Sequence, residues 1–102
     1  MIEKGADVNI KTKGYNGTPL IAASWNIELC KYLIEEKRAD VNIKSEGYNA
    51  TTPLIATCFS GNIEVCKYLI EKGANVNINT DWYLPLIAAC NSKNIELCKY
   101  LI

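Results

Sequence analysis

Apolar and polar positions along this chain follow one pattern written three times. At 26–34, 62–70 and 94–102 the sequence reads Asn-Ile-Glu, then Leu or Val, then Cys-Lys-Tyr-Leu-Ile. In the middle copy Ile63, Cys66, Leu69 and Ile70 recur at helical spacing on one face, with Glu64, Lys67 and Glu71 on the other. This predicts an amphipathic helix of about three turns. Asn26, Asn62 and Asn94 stand where a side-chain oxygen can accept from the first free N–H groups, and the Glu two residues on sits where the helix dipole favours negative charge. Ahead of each copy lies a shorter apolar block beginning at Pro19, Pro53 or Pro85. Thr18 and Thr52 can cap a helix there, and proline in its first turn has no N–H to leave unpaired. The pairs Ala23-Ser24, Thr57-Cys58 and Ala89-Cys90 are small enough for neighbouring helices to approach closely.

The second helix is followed by Gly5-Ala6-Asp7-Val8-Asn9, Arg38-Ala39-Asp40-Val41-Asn42 or Gly73-Ala74-Asn75-Val76-Asn77. Gly5 and Gly73 predict a left-handed residue that ends the helix. The 11 to 14 positions from that Ala to the next Pro are too polar for a helix and contain Gly-Tyr-Asn twice, which predicts a hairpin-like finger. A unit copied in this way buries its apolar face on its neighbours, so the expected fold is a solenoid. Its single domain divides at about 1–34, 35–70 and 71–102. Met1-Ile2-Glu3-Lys4-Gly5 matches Leu69-Ile70-Glu71-Lys72-Gly73, and the sequence stops at Leu101-Ile102, before the matching Glu-Lys-Gly. It therefore reads as cut from a longer array, with end faces expected to self-associate.

The unit length, the Thr-Pro-Leu start and the Gly-Ala-Asp-Val-Asn end resemble the ankyrin repeat over the whole chain. The resemblance implies an all-α repeat solenoid of helix-turn-helix units joined by fingers. It also implies a protein–protein recognition module that binds through its finger tips and the concave side of its first helices. The matching positions are Lys13, Tyr15 and Asn16, then Glu46, Tyr48 and Asn49, then Asp81, Trp82 and Tyr83 in the fingers, with Trp25, Phe59, Ser60, Asn91 and Ser92 at the helix ends. Asn9, Asn42 and Asn77 resemble the asparagines that ankyrin repeats can present for hydroxylation, although finger hydrogen bonding is their default role. The rival reading is a structural spacer, a self-associating segment of a longer array with no ligand of its own. Rings crowded into the short third finger are expected to leave Trp82 or Tyr83 pushed outward. Tyr15 and Tyr48 can bind or pack, whereas Tyr32, Tyr68 and Tyr100 are expected in the core or on the back surface.

Several departures from the family pattern foretell local irregularity. Ile21, Ile55 and Ile87 occupy the family's histidine position, and the chain has no histidine. Trp25 runs directly into Asn26, two residues short of the other units, and Arg38 stands where glycine would cap. A side chain in left-handed geometry there costs roughly 1 kcal/mol. Leu84 replaces the capping threonine.

Composition narrows the function classes. Eleven basic and eleven acidic residues cancel and are spread over all units, so no basic stripe invites nucleic acid. No apolar run approaches the roughly 20 residues that span a bilayer, and the start lacks the features of a secretory signal. Five cysteines without Cys-x-x-Cys spacing or a histidine give no metal set, so all five are expected in the core, reduced, as in an intracellular and cytoplasmic protein. Glu28, Glu64 and Glu96 fall on solvent faces rather than in one cleft, so neither catalysis nor a cofactor is expected.

Overall fold

The computed structural model describes residues 4–80 and 83–102. Within them the chain forms α1 (Pro19–Ala22), α2 (Ile27–Lys31), α3 (Pro53–Ser60), α4 (Ile63–Glu71), α5 (Pro85–Asn91) and α6 (Ile95–Leu101). First helices stack on first helices, α1 on α3 and α3 on α5, while α2 packs on α4. The result is an elongated body of 48 × 27 × 18 Å, an all-α repeat solenoid.

The caps are those the sequence marks. Thr18 and Thr52 hydroxyls accept from the Ile21 and Ile55 N–H groups, each at 3.2 Å. Asn26, Asn62 and Asn94 accept from Leu29, Val65 and Leu97 at 3.1, 3.2 and 3.0 Å. Leu84 leaves α5 without a side-chain cap. The middle pair forms the centre of the core: Pro53 to Cys58 are all buried in α3, and Val65, Cys66, Tyr68 and Leu69 in α4. Ile63 and Ile70 are only half-buried. The buried stripe of α4 is turned relative to the expected one because α3 and α2 both press on this helix.

Differences in unit length are taken up locally. The two residues missing before Asn26 come out of α1, which has four residues against eight in α3, and the turn Ala23–Trp25 remains. Conversely, Glu35-Glu36-Lys37-Arg38 is one residue longer than Glu71-Lys72-Gly73. The helix absorbs it as a π-helical turn at Tyr32–Glu36, in which the Lys37 N–H donates to the Tyr32 carbonyl at 3.3 Å. Single π turns of this kind are the usual outcome of one added residue in a helix. Ala39 and Ala74 then reach equivalent buried positions, and Arg38, at φ 58°, adopts the left-handed geometry that Gly73 holds at 101°.

The fingers are short hairpins. Backbone N–H groups of Thr12, Ser45 and Thr80 donate to the carbonyls of Gly17, Thr51 and Tyr83 at 2.6, 3.0 and 2.8 Å. The first two fingers also pair edge to edge through a parallel bridge between Lys13 and Glu46. At Gly17 a Cβ would collide with the Thr12 carbonyl and stand 2.6 Å from the Ser45 Cβ, so this approach requires glycine.

Two rows of asparagines fasten consecutive units. Asn9 accepts from the Asp40 N–H at 2.8 Å. One unit later, Asn42 accepts from the Asn75 N–H at 2.8 Å and donates to the Gly73 carbonyl at 3.1 Å. The helix-capping asparagines do the same at the opposite end. Asn62 donates to the Trp25 carbonyl at 3.2 Å and Asn94 to that of Gly61 at 3.4 Å, each reaching back to the preceding inter-helix turn.

Candidate functional site

The expected binding residues separate into a packed floor and an exposed rim. Tyr15 from the first finger, Phe59 from the end of α3 and Tyr83 from the third finger converge. Ring centroids lie 6.1 Å apart for Tyr15–Phe59, 5.2 Å for Phe59–Tyr83 and 6.2 Å for Tyr15–Tyr83, the last two edge to face. Such geometry sets the positive ring edge on the negative face. Burial, then the neighbouring Tyr83 and Cys58, push the Tyr15 hydroxyl up to about 12. Tyr83 therefore packs inward, where Phe59 offers it an apolar wall, so of the two rings expected to be crowded in the short finger it is not the one turned out. Trp82 and Asp81 lie outside the described residues.

Two large rings are exposed: Trp25, 67% exposed at the turn that follows the shortened α1, and Tyr48, 74% exposed at the second finger tip. Lys13, Asn16, Glu46, Asn49, Ser60 and Asn91 are exposed, and Ser92 is half-buried. Ile87 on α5 is 53% exposed, whereas its counterparts Ile21 and Ile55 are buried. Sequence reasoning missed this difference, since all three occupy one repeat position. Ile21 is packed beneath Ile43 and Ala56 of the next unit, and Ile87 has no such cover among the described residues.

The side formed by the second helices, convex by the family resemblance, is chemically different. Lys31 and Lys72 lie over the Tyr68 ring at 5.9 and 5.6 Å, Lys67 over Tyr100 at 5.2 Å and Lys37 over Tyr32 at 5.8 Å. These cations meet the negative ring faces. The Tyr68 hydroxyl donates to Glu35 at 2.6 Å, and burial together with that carboxylate pushes its pKa up. Tyr68 and Tyr100 thus meet lysines of the preceding unit's second helix, whereas Tyr32 meets a lysine at the end of its own helix.

Of the three asparagines at finger bases, Asn9 and Asn42 are engaged between units. The Asn77 side chain makes no such bond among the described residues.

The cysteines divide. Cys30, Cys58 and Cys66 are buried. Burial pushes Cys30 up to about 11, and its thiol donates to the Ala23 carbonyl at 3.1 Å. The hydrogen bond with Cys66, with burial behind it, pushes the Cys58 thiol well up. Cys90 is exposed and Cys98 half-buried, so the expectation that all five fill the core fails for the last helix pair. Among the described residues no three histidine, cysteine or acidic side chains gather as metal ligands. No helix there is long and apolar enough to cross a membrane.

A family model described as ankyrin repeats, in three copies, matches residues 20–102. The chain belongs to the ankyrin repeat family. Ankyrin repeats are generally protein–protein interaction modules, typically without catalysis of their own. Comparison with curated proteins gives no match.

Proposed function

We propose that this chain recognises a partner protein through the surface formed by its finger tips and the exposed ends of α1, α3 and α5. The observation that carries this reading is the presence of two large, exposed rings, Trp25 at an inter-helix turn and Tyr48 at a finger tip, on a body whose other finger aromatics are packed. Aromatic side chains bury much area at small entropic cost. Lys13, Asn16, Glu46, Asn49, Ser60, Asn91 and Ser92 supply a polar rim of mixed charge, which suits a protein surface better than a polyanion. Asp81 and Trp82 belong to the same reading through their place in the third finger.

A photo-crosslinking residue introduced singly at Trp25, Tyr48, Tyr32 and Tyr100 tests the proposal. One partner captured from Trp25 and Tyr48, and not from the convex Tyr32 and Tyr100, is expected. Capture from the convex positions alone would assign recognition to the other face, and no capture from any position would favour the spacer. Hydroxylation is a second reading for Asn9, Asn42 and Asn77, which stand at the finger bases. Incubation with an asparagine hydroxylase should add oxygen, and an unchanged intact mass would remove the idea.

A further inference from the structure

The first finger turns through Gly14-Tyr15-Asn16-Gly17, and Asn16 is the one asparagine of the chain that a glycine follows; its counterpart Asn49 in the second finger precedes Ala50. Packing demands that glycine. A Cβ at Gly17 would strike the Thr12 carbonyl and stand 2.6 Å from the Ser45 Cβ, so no side chain fits there. Asparagine ahead of a residue without a Cβ has a reaction open to it, since nothing shields the next backbone nitrogen from the side-chain amide carbon. Among the described residues the Gly17 N–H donates no hydrogen bond, whereas the Ala50 N–H is held by the Gly47 carbonyl at 3.3 Å. Asn16 is exposed, and so is Asn49 in the middle unit, so this exposure belongs to the finger tip.

We propose that Asn16-Gly17 is a self-modifying site, at which the native finger converts its asparagine to isoaspartate and aspartate. The Gly17 backbone nitrogen attacks the Asn16 Cγ and closes a five-membered succinimide ring. The amide nitrogen leaves as ammonia, taking up the proton that the Gly17 nitrogen gives up. Water then adds to one of the two ring carbonyls. Breaking the bond between the Gly17 nitrogen and the Asn16 backbone carbonyl carbon leaves the chain running through Cβ and Cγ, which is isoaspartate; breaking the bond to Cγ gives aspartate. One water is consumed and one ammonia released, with no oxidation or reduction. Isoaspartate adds one carbon to the main chain between two anchored neighbours. Tyr15 packs on Phe59 with ring centroids 6.1 Å apart, and the Gly17 carbonyl accepts from the Thr12 N–H and hydroxyl at 2.6 and 2.9 Å. The added length is taken up between these points, at the expense of the pairing with the second finger, where Gly14 donates to Glu46 and Glu46 to Thr12 at 3.0 and 2.9 Å. Either product also puts a carboxylate where a neutral amide stood, on the surface proposed above for recognition. The modification itself does not rest on that reading, and its test needs no partner.

The experiment incubates the native 102-residue chain in neutral buffer made with heavy-oxygen water, then digests it in ordinary water and maps the peptides. The expected result is two products of equal mass at Asn16, each carrying one heavy oxygen, formed at least about tenfold faster than any product at Asn49. Isoaspartyl methyltransferase should label one of the two with the methyl group of S-adenosylmethionine. Gly17→Ala is a poor control, because its Cβ meets the Thr12 carbonyl. Ala50→Gly makes the same comparison without that clash and should open Asn49 to the reaction. The aged chain should melt at least about 2 °C below Asn16→Asp, which carries the charge without the added carbon. A native chain that keeps Asn16 intact while a synthetic peptide of residues 11–19 converts overturns the proposal. Equal rates at Asn16 and Asn49 in the parent chain also overturn it.

Discussion

Replacing Arg38 by glycine should stabilise the fold. Arg38 and Lys93 are the non-glycine residues with positive φ among the described residues, at 58° and 59°, and each stands where another unit has glycine, Gly73 and Gly61. A Cβ in left-handed geometry costs about 1–2 kcal/mol. Glycine returns roughly 0.4–1 kcal/mol of that through the greater freedom of the unfolded chain. The net gain is therefore about 0.5–1 kcal/mol per site, or about 2–8 °C in Tm for a chain of this size. Nothing else should be lost at Arg38, whose exposed side chain makes no hydrogen bond or ion pair among the described residues. The two sites lie in different units and should add to within about 0.5 kcal/mol. Thermal melts and urea titrations followed by circular dichroism measure the effect, with Arg38→Ala as control, since alanine keeps the Cβ. A glycine variant no more stable than the alanine variant would refute the reasoning.

Four further outcomes can be measured in the same way. Asn42→Ala removes two inter-unit hydrogen bonds and should cost about 1–3 kcal/mol, whereas Asn77→Ala should change stability by less than about 0.5 kcal/mol; equal losses would mean the asparagine row is not what fastens the fingers. Thr51 buries a hydroxyl without a partner, so Thr51→Val, of the same shape, should gain about 1 kcal/mol, and a loss in urea midpoint would show that the hydroxyl is satisfied. Tyr83→Ala should cost about 2 kcal/mol or more by opening the aromatic floor, with Trp25→Ala and Tyr48→Ala within about 0.5 kcal/mol; the opposite ranking of melts would reverse the assignment of floor and rim. Tyr15 holds its proton to about 12 when folded, against 10.0 for its ordinary value. Its contribution to stability is thus complete below pH 10 and lost as pH rises towards 12, and Tyr15→Phe, which keeps the ring, should make that alkaline decline shallower.

Local chemistry was readable from the sequence wherever a single residue decides an outcome. Threonine before proline, asparagine before the second helix, the missing cap at Leu84 and the left-handed Arg38 all follow from one side chain and its neighbours. The left-handed Lys93 is equally readable from its alignment with Gly61. What the repeat pattern could not give was anything decided by which unit lies next door. Ile21 and Ile87 are the same residue at the same repeat position, yet Ile21 lies beneath Ile43 and Ala56 of the next unit and Ile87 is exposed. The buried stripe of α4 also escaped the helical pattern, since helices on two sides widen it to include Val65 and Tyr68. For the binding surface, residue type suggested the aromatics, but only packing separates Tyr83 and Tyr15, which hold the floor, from Tyr48, which meets solvent.

The π turn at Tyr32–Glu36 bears on how such a chain can change without failing. Repeated sequences gain and lose residues when they are copied, and in most folds one extra residue rotates everything after it by about 100° in a helix. Here the added residue widens one turn, and Ala39, Asp40 and Asn42 still arrive where the next unit needs them, with Asn9 reaching Asp40 as Asn42 reaches Asn75. The error is discharged before it reaches an interface. A tandem array built on this plan can accumulate copying slips at its helix ends and finger tips, and vary what it shows to the outside, while the spacing of its asparagine fasteners stays in register.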